Sequence, residues 1–245
     1  MAGFETEPIE RIELIDQIIE TITRQIAEGK IKPGDSIPGE RTLSEMFNVS
    51  RTSIRQALKA LEFLGVLDIR HGAATTLNTS SSSLFVNPLK FMSILYNVDI
   101  AELFEARKTI EVVLAKDAAQ NATDTDIESM RLCLEKAKAS IEQPEVFLFA
   151  EKDFHECIFA ASGNRILSAM IRSLTNLLID SRKESIKTFD NLNVSYDEHY
   201  RIFEAIEKRD IEAAGKAMLD HLEDVEKRLY SINTPKGKLP FSRAG

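Results

Sequence analysis

Residues 37–72 constrain the fold more than any other part of this chain, because they have the pattern of two short helices followed by a β-ribbon. Leu43, Met46 and Phe47 give the first helix an apolar face at helical spacing. A polar break follows, and Ser50 is a favourable N-cap for the second helix. The segment therefore predicts a helix-turn-helix.

The second helix of this pair combines an apolar face with a basic, hydroxyl-rich tip. Its apolar residues recur at i, i+4, i+7 and i+10: Ile54, Leu58, Leu61 and Leu64. The opposite face carries Arg51, Thr52, Arg55 and Lys59. Arginine reads guanine edges and hydroxyls contact phosphates, so such a tip suits the major groove of DNA.

A solvated basic face without any function is the alternative explanation for this helix. Three observations favour DNA binding instead. Arg41 begins the preceding helix, where it can reach a phosphate, and the basic residues cluster on the first turns of the second helix. The segment from Leu67 to Leu77 alternates around a turn at Gly72, as a hairpin wing would.

These motifs resemble the winged helix-turn-helix of the GntR family of bacterial transcription regulators. The family pattern is met by Pro33-Gly34-Asp35, by residues 38–43 and by residues 49–58. The resemblance implies DNA contacts from Arg41, Ser50, Arg51, Thr52, Ser53 and Arg55, and from His71 and Gly72 in the wing. The wing lacks the second glycine that is common in this family.

Composition bounds the class of protein. A chain of 245 residues predicts two domains. The net charge of −8 is unusual for a DNA binder, but residues 41–71 hold five Lys and Arg against three Asp and Glu, so the basic footprint is local. The acidic balance argues against a membrane-surface role, and no apolar run approaches the roughly 18 residues of a membrane span.

Cys133 and Cys157 are isolated in the sequence and lack metal-type spacing. A reducing cytoplasm is the simplest interpretation, and a disulfide between them stays open as the alternative. The polar, acidic N-terminus has no signal segment, so we expect a cytoplasmic protein associated with the nucleoid.

The pattern along the chain predicts a mainly α fold with an N-terminal winged helix-turn-helix and a C-terminal antiparallel all-helical bundle of six to seven helices. We expect the DNA-binding domain over residues 1–78, a serine-rich linker over 79–87, the helical domain over 88–232 and a flexible tail over 233–245. Predicted helix starts lie at or beside Asp99, Thr123, Pro144, Asn164, Ser195 and Asp210. Of these, Ser195 with Glu198 has the pattern of a capping box.

Three of the four histidines fall on separate predicted helices of the second domain: His155, His199 and His221. Glu151 lies four residues before His155 and therefore shares its helix face. Three imidazoles and one carboxylate can converge on a metal ion and leave positions open for water or a ligand. Packed or hydrogen-bonded histidines without any metal are the more common occurrence, so the residues alone leave both explanations open.

This domain resembles the FCD ligand-sensing domain of the FadR subfamily of GntR regulators, over about residues 88–231. The resemblance rests on Glu105 to Glu111, on residues 151–155 with 161–164, and on residues 198–202 and 221–222. It implies a metal site formed by Glu151, His155, His199 and His221. The family carboxylate is usually Asp, so Glu151 is a departure, and Asp153 is the weaker alternative because it points to another helix face.

The chemistry of such a site suits zinc by default, with nickel or manganese as alternatives. The resemblance further implies a small organic acid as effector, with Arg107 as a bidentate anchor for its carboxylate. An ordinary ion pair of Arg107 with Glu111 or Glu105 is the competing explanation.

We therefore expect a ligand-responsive, homodimeric bacterial regulator, not an enzyme, that binds a palindromic double-stranded operator, with repression implied by the family. One alternative is a regulator that senses acyl-CoA or another ligand without metal. A metal-responsive regulator without an organic effector is another, and a metal-dependent hydrolase with a DNA-binding head is a third.

Overall fold

The computed structural model describes residues 11–70, 74–79, 86–188 and 192–231. The chain divides into two compact units, residues 1–88 and 89–245. The predicted boundary near residue 78 thus lies ten residues earlier than this division. The described part is mainly helical, as the sequence predicts, with ten helices and one two-stranded sheet.

The first unit contains helices α1 (Arg11–Ala27), α2 (Glu40–Phe47) and α3 (Arg51–Phe63), then strands β1 (Leu67–Asp68) and β2 (Thr76–Leu77). The strands are antiparallel and pair Leu67 with Leu77. This is the predicted helix-turn-helix with its wing. His71 and Gly72, which lie between the two strands in the sequence, are outside the described residues.

Local signals set the turn between α2 and α3. Asn48 ends α2 in the left-handed conformation with φ of 52°, which an asparagine tolerates better than most residues. The backbone N–H of Ser53 donates to the Ser50 hydroxyl at 3.0 Å, which is the predicted N-cap of α3. Ile54 and Leu61 on α3 are buried among α1 and β1 side chains, so the apolar face anchors the helix and leaves its basic face outside.

The second unit is a helical bundle, and its described helices number seven. They are α4 (Val86–Leu95), α5 (Ile100–Asn121), α6 (Asp124–Ala139), α7 (Pro144–Ala161), α8 (Arg165–Thr188), α9 (Leu192–Glu207) and α10 (Ile211–Ser231). Because α4 begins at Val86, the last two residues of the predicted linker are helical. Residues 80–85 of that linker and the predicted tail, 233–245, lie outside the described residues.

Most of the predicted helix starts in this bundle are confirmed. Asp99 and Thr123 form capping boxes for α5 and α6, and Pro144 occupies the first turn of α7. Asn164 accepts the backbone N–H of Leu167 at 3.1 Å, and Asp210 caps α10 in the same way. The start at Ser195 is wrong, because α9 already begins at Leu192 and Ser195 lies buried inside its first turn.

Helix α5 is central in the bundle, where it packs against α7, α8, α9 and α10. The side chains that fill the space between these helices include Phe104, Leu114, Phe154, Ile158, Ile202, Met218 and Leu222, all fully or almost fully buried. This apolar interior surrounds the three histidines, so any polar group there needs a partner inside the bundle. None of the helices in the described ranges is long and apolar enough to cross a membrane.

Candidate metal centre and DNA-binding surface

His155 on α7, His199 on α9 and His221 on α10 meet in the interior of the bundle. One ring nitrogen from each lies within 4.8 Å of the others, and all three side chains are buried. Nε2 of His155 is 3.1 Å from Nε2 of His199. The structure therefore brings together three side chains that are 44 and 22 residues apart in the sequence.

Each of these imidazoles has its other nitrogen, Nδ1, beside an oxygen acceptor. Nδ1 of His155 is 3.1 Å from Oε2 of Glu111, and Nδ1 of His221 is 2.9 Å from Oε2 of Glu198. Nδ1 of His199 is 2.7 Å from the backbone carbonyl oxygen of Ser195. Metal-binding histidines usually have such a partner, which fixes the tautomer and the ring orientation.

These partners indicate where the protons are. A carbonyl oxygen only accepts, so Nδ1 of His199 carries a proton. A carboxylate oxygen 2.9 Å away favours a proton on Nδ1 of His221 in the same way, whereas the 3.1 Å contact of Nδ1 of His155 with Glu111 lacks hydrogen-bond geometry. One ring nitrogen from each histidine lies in the same small volume, which is the donor set that a divalent cation needs.

The carboxylates behind two of the rings accept hydrogen bonds from arginines. Nε of Arg107 donates to Oε1 of Glu111 at 2.6 Å, and both side chains are almost fully buried. Burial by itself would raise the pKa of Glu111, but Arg107 and His155 outweigh burial and lower that pKa to about 2. Glu111 is therefore a carboxylate at neutral pH.

Arg228 pairs with Glu198 as Arg107 pairs with Glu111. Its Nη1 and Nη2 donate to the two carboxylate oxygens of Glu198 at 2.7 and 2.8 Å, a bidentate pair. Burial lowers the pKa of Arg228, but the pair with Glu198 outweighs burial and leaves it above its ordinary value. Arg228 was not among the site residues predicted from the sequence, although it lies seven residues after His221 and thus on the same face of α10.

Glu151 is the one predicted ligand that the structure does not bring into the group of ring nitrogens. Its Oε1 accepts the hydroxyl hydrogen of Ser195 and lies 3.5 Å from Nδ1 of His199. The carboxylate is buried, but it lies on the Nδ1 side of the ring rather than on the Nε2 side. Asp153, the alternative carboxylate, is exposed on another face of α7.

The group of three nitrogens fits a divalent ion in its donor chemistry and its spacing. Two nitrogen ligands with bonds of about 2.0–2.1 Å are about 3.3 Å apart at a tetrahedral angle and about 2.9 Å apart at a right angle. The 3.1 Å between the Nε2 atoms of His155 and His199 lies between these values. A groove of 340 Å³ between α9 and α10 includes Glu198 and His221 among its lining residues.

Arg107, the predicted effector anchor, lies beside this centre. It is 2% exposed, its guanidinium carbon is 4.9 Å from the centre of the Phe104 ring, and it pairs with Glu111. The ion pair with Glu111, which was the competing explanation for Arg107, thus exists, and it links Arg107 through Glu111 to His155.

The described DNA-contact candidates of α2 and α3 divide into two groups. Arg41, Ser50, Arg51, Thr52 and Arg55 are exposed. Nε and Nη2 of Arg55 donate to Glu40 at 2.9 and 2.6 Å, a pair that a DNA phosphate or base can displace because exposed pairs contribute little. Ser53 is 4% exposed and its hydroxyl lies 2.9 Å from the cap hydroxyl of Ser50, so both serines serve the helix start.

Comparison with known proteins gives two family matches. Residues 14–77 match the family of bacterial regulatory proteins called gntR, and residues 102–224 match the FCD domain. The chain is 30% identical to the HTH-type transcriptional repressor NanR of Citrobacter rodentium, over 92% of this chain and 88% of the relative. It is also 30% identical to the HTH-type transcriptional regulator LutR of Bacillus subtilis, over 82% of this chain and 94% of the relative.

Among solved structures, a GntR protein of Streptococcus agalactiae superposes with a TM-score of 0.63 at 23% identity, covering 87% of this chain and 99% of that one. This likeness concerns the fold. The relatives are transcription regulators and not enzymes, which excludes the hydrolase alternative. The chain therefore belongs to the GntR family of bacterial transcription regulators and carries an FCD domain behind its DNA-binding head.

Proposed function

We propose that this regulator is a repressor whose helical domain binds one divalent metal ion and a small organic acid, and that the acid alters operator binding. The observation that carries the proposal is the common orientation of the three histidines. Each Nδ1 lies beside an oxygen, and one ring nitrogen from each histidine lies within 4.8 Å of the others in a buried volume. Three imidazole nitrogens this close together, with oxygens behind the rings, are the donor set of a divalent metal site.

His155, His199 and His221 are the proposed ligands, and zinc is the default ion for three neutral imidazoles, with nickel or manganese as alternatives. When bound, a divalent ion held in this way retains open coordination positions for oxygen ligands such as a carboxylate. The position of Glu151 supports a role other than the metal ligand that the sequence predicted. Through Ser195 and His199 it stabilises the start of α9 and the orientation of one ligand.

Arg107 is the proposed anchor for the effector carboxylate. In the described part of the chain its hydrogen-bond acceptor is Glu111, which engages Nε. The Nη side of a guanidinium offers further donors at fixed geometry, and a buried fork of this kind suits a carboxylate. Because Glu111 contacts both Arg107 and His155, an acid on Arg107 would act on the same chain of contacts that orients a metal ligand.

The N-terminal unit binds the operator. We propose contacts from Arg41, Ser50, Arg51, Thr52, Ser53, Arg55, His71 and Gly72, with the exposed arginines of α2 and α3 as the main determinants. A homodimer would place two α3 helices in successive major-groove segments of a palindromic operator. An acid that binds one arrangement of the helical domain more tightly shifts the population toward that arrangement, and hence the DNA affinity.

The test begins with the metal content of the full-length protein by inductively coupled plasma mass spectrometry. One equivalent of a divalent ion per chain is expected. The second step measures thermal shifts of the metal-loaded protein with a panel of mono-, di- and tricarboxylic acids. The third step measures the binding of a DNA fragment, selected from a random pool by the protein itself, with and without the acid that gives the largest shift.

Metal-free protein that carries an apolar bound ligand would contradict the proposal and favour the acyl-CoA alternative. DNA release on a change of metal alone, with no acid giving a thermal shift, would favour the metal-responsive alternative. Acid-dependent release of DNA from the metal-loaded protein is the result that we expect.

A further inference from the structure

Cys133 on α6 and Cys157 on α7 contact each other across two packed helices, although 24 residues separate them in the sequence. Their Sγ atoms are 3.7 Å apart and both thiols are free. Cys133 is buried in the core of the bundle, and Cys157 is only partly buried. A disulfide has an S–S distance of about 2.05 Å, so the sulfurs would need to approach by roughly 1.7 Å.

The second cysteine shares its helix with a proposed metal ligand. Cys157 follows His155 by two residues within the same helix, α7. Nε2 of His155 lies 3.1 Å from Nε2 of His199 on α9, and α6 packs against both α7 and α9. A change in the distance between α6 and α7 therefore acts on the helix that positions His155.

We propose that Cys133 and Cys157 form a redox-active dithiol, which a hydroperoxide closes to an intramolecular disulfide, and that closure weakens metal binding at His155. The metal half of this inference rests on the proposed function. The disulfide half rests only on the contact between the two sulfurs. The dithiol would add an oxidant signal to a regulator that otherwise responds to an acid.

The chemistry balances with hydrogen peroxide as the oxidant. One of the two sulfurs attacks one peroxide oxygen, so an S–O bond forms, the O–O bond breaks and the first water leaves. The sulfur of the other cysteine then attacks the oxidised sulfur, the S–S bond forms, the S–O bond breaks and the second water leaves. Two thiols lose two electrons and two protons, and the peroxide gains them. A thiol reductant reverses the step, as the reducing cytoplasm would.

Closure should weaken the metal site because ligand positions tolerate little displacement. Metal–ligand distances hold to within about 0.2 Å, whereas the sulfurs must approach by roughly 1.7 Å. The part of the approach that side-chain rotation does not supply must come from movement of α6 or α7. A movement of α7 by more than about 0.2 Å would exceed that tolerance at His155.

The experiment uses the full-length, reduced, zinc-loaded protein. After treatment with a few equivalents of hydrogen peroxide, the remaining thiols are blocked with N-ethylmaleimide. The intact mass and a peptide map should show a Cys133–Cys157 disulfide and no alkylation. Zinc affinity, measured by competition with a chromophoric chelator, should fall by about tenfold or more and return after dithiothreitol.

The matched controls are Cys133→Ser and Cys157→Ser, which keep one thiol each. Both should bind zinc with unchanged affinity before and after peroxide. Two thiols that stay open to alkylation in the treated wild type would overturn the proposal, and so would a disulfide that leaves zinc affinity unchanged. Failure of the proposed function is seen separately, because the reduced protein would then bind no zinc. That result would remove the proposed effect on metal binding, and the alkylation measurement would still decide whether the disulfide forms.

Discussion

Oε2 of Glu111 lies 3.1 Å from Nδ1 of His155, and the same carboxylate accepts a hydrogen bond from Arg107 through Oε1. One buried side chain thus contacts both the proposed effector anchor and a proposed metal ligand. The pair of Glu198 with Arg228 behind His221 repeats the arrangement on the other side of the cluster. Two of the three histidines therefore have, beside Nδ1, a carboxylate that also pairs with an arginine.

Replacing Glu111 by Gln should weaken zinc binding by about 10–100-fold, the range for partners of metal-binding histidines. The amide keeps the shape of the side chain but removes the charge that favours Nδ1–H on His155. Zinc affinity by chelator competition is the measurement. Glu105→Gln is the matched control, because Glu105 lies on the same helix but is exposed and pairs with Lys108. Equal zinc affinities in the wild type and both variants would contradict this role of Glu111.

The same substitution should change how stability depends on pH in the metal-free protein. The folded-state pKa of Glu111 is about 2, below its ordinary value of 4.5. Its contribution is therefore present above about pH 4.5 and is lost as the pH falls toward 2, with a full magnitude on the order of 3 kcal/mol. Urea denaturation at about pH 6 and about pH 3.5 should show a smaller difference between wild type and Glu111→Gln at the lower pH. A difference that does not depend on pH would mean that the carboxyl is not held ionised in the fold.

His199→Ala should reduce the metal content of the purified protein from one equivalent to nearly none. The ring supplies one of three proposed ligands, and two imidazoles alone hold a divalent ion much less tightly. Mass spectrometry of the metal is the measurement, and circular dichroism checks the fold. Asp153→Asn is the control, because this exposed carboxylate lies off the cluster and its removal should leave the metal in place. Full metal occupancy in His199→Ala would contradict the three-ligand site.

Arg107→Lys should keep the metal but lose the response to the effector acid. Lysine preserves a positive charge opposite Glu111, whereas it lacks the planar fork that binds a carboxylate in two places. The thermal shift produced by the acid that acts most strongly on the wild type is the measurement. Arg131→Lys is the control, because Arg131 is a partly exposed arginine on α6 that pairs with Glu207. An unchanged acid-induced shift in Arg107→Lys would remove Arg107 from the effector site.

Arg51→Ala should weaken binding to the selected DNA fragment by roughly 5–150-fold, which corresponds to about 1–3 kcal/mol for an arginine that contacts a base. Arg51 is exposed in the first turn of the recognition helix α3. Fluorescence anisotropy at fixed salt is the measurement. Lys30→Ala removes the same charge from the same unit, outside the helix-turn-helix, and should have little effect. Equal losses in both variants would mean that only net charge matters.

Short-range sequence signals were sufficient to predict much of the secondary structure. Caps at Asp99, Thr123 and Asp210 act over three or four residues, so the sequence alone is sufficient to find the helices that they begin. The same holds for Ser50 and the recognition helix. The capping box at Ser195 failed because tertiary contacts use both of its residues: Ser195 donates to Glu151, and Glu198 accepts from Arg228 and His221.

By itself, the sequence determined the two-part organisation, the helix-turn-helix and the three histidines on separate helices, because periodicity, caps and family motifs are short-range features that one chain displays directly. Only the tertiary structure decided which oxygen lies behind each imidazole, that Glu151 falls on the Nδ1 side of His199, and that Arg228 supports Glu198. Those outcomes depend on the rotation and depth of helices packed around α5. Small differences in that packing move a side chain from one ring nitrogen to the other, and no local pattern encodes them.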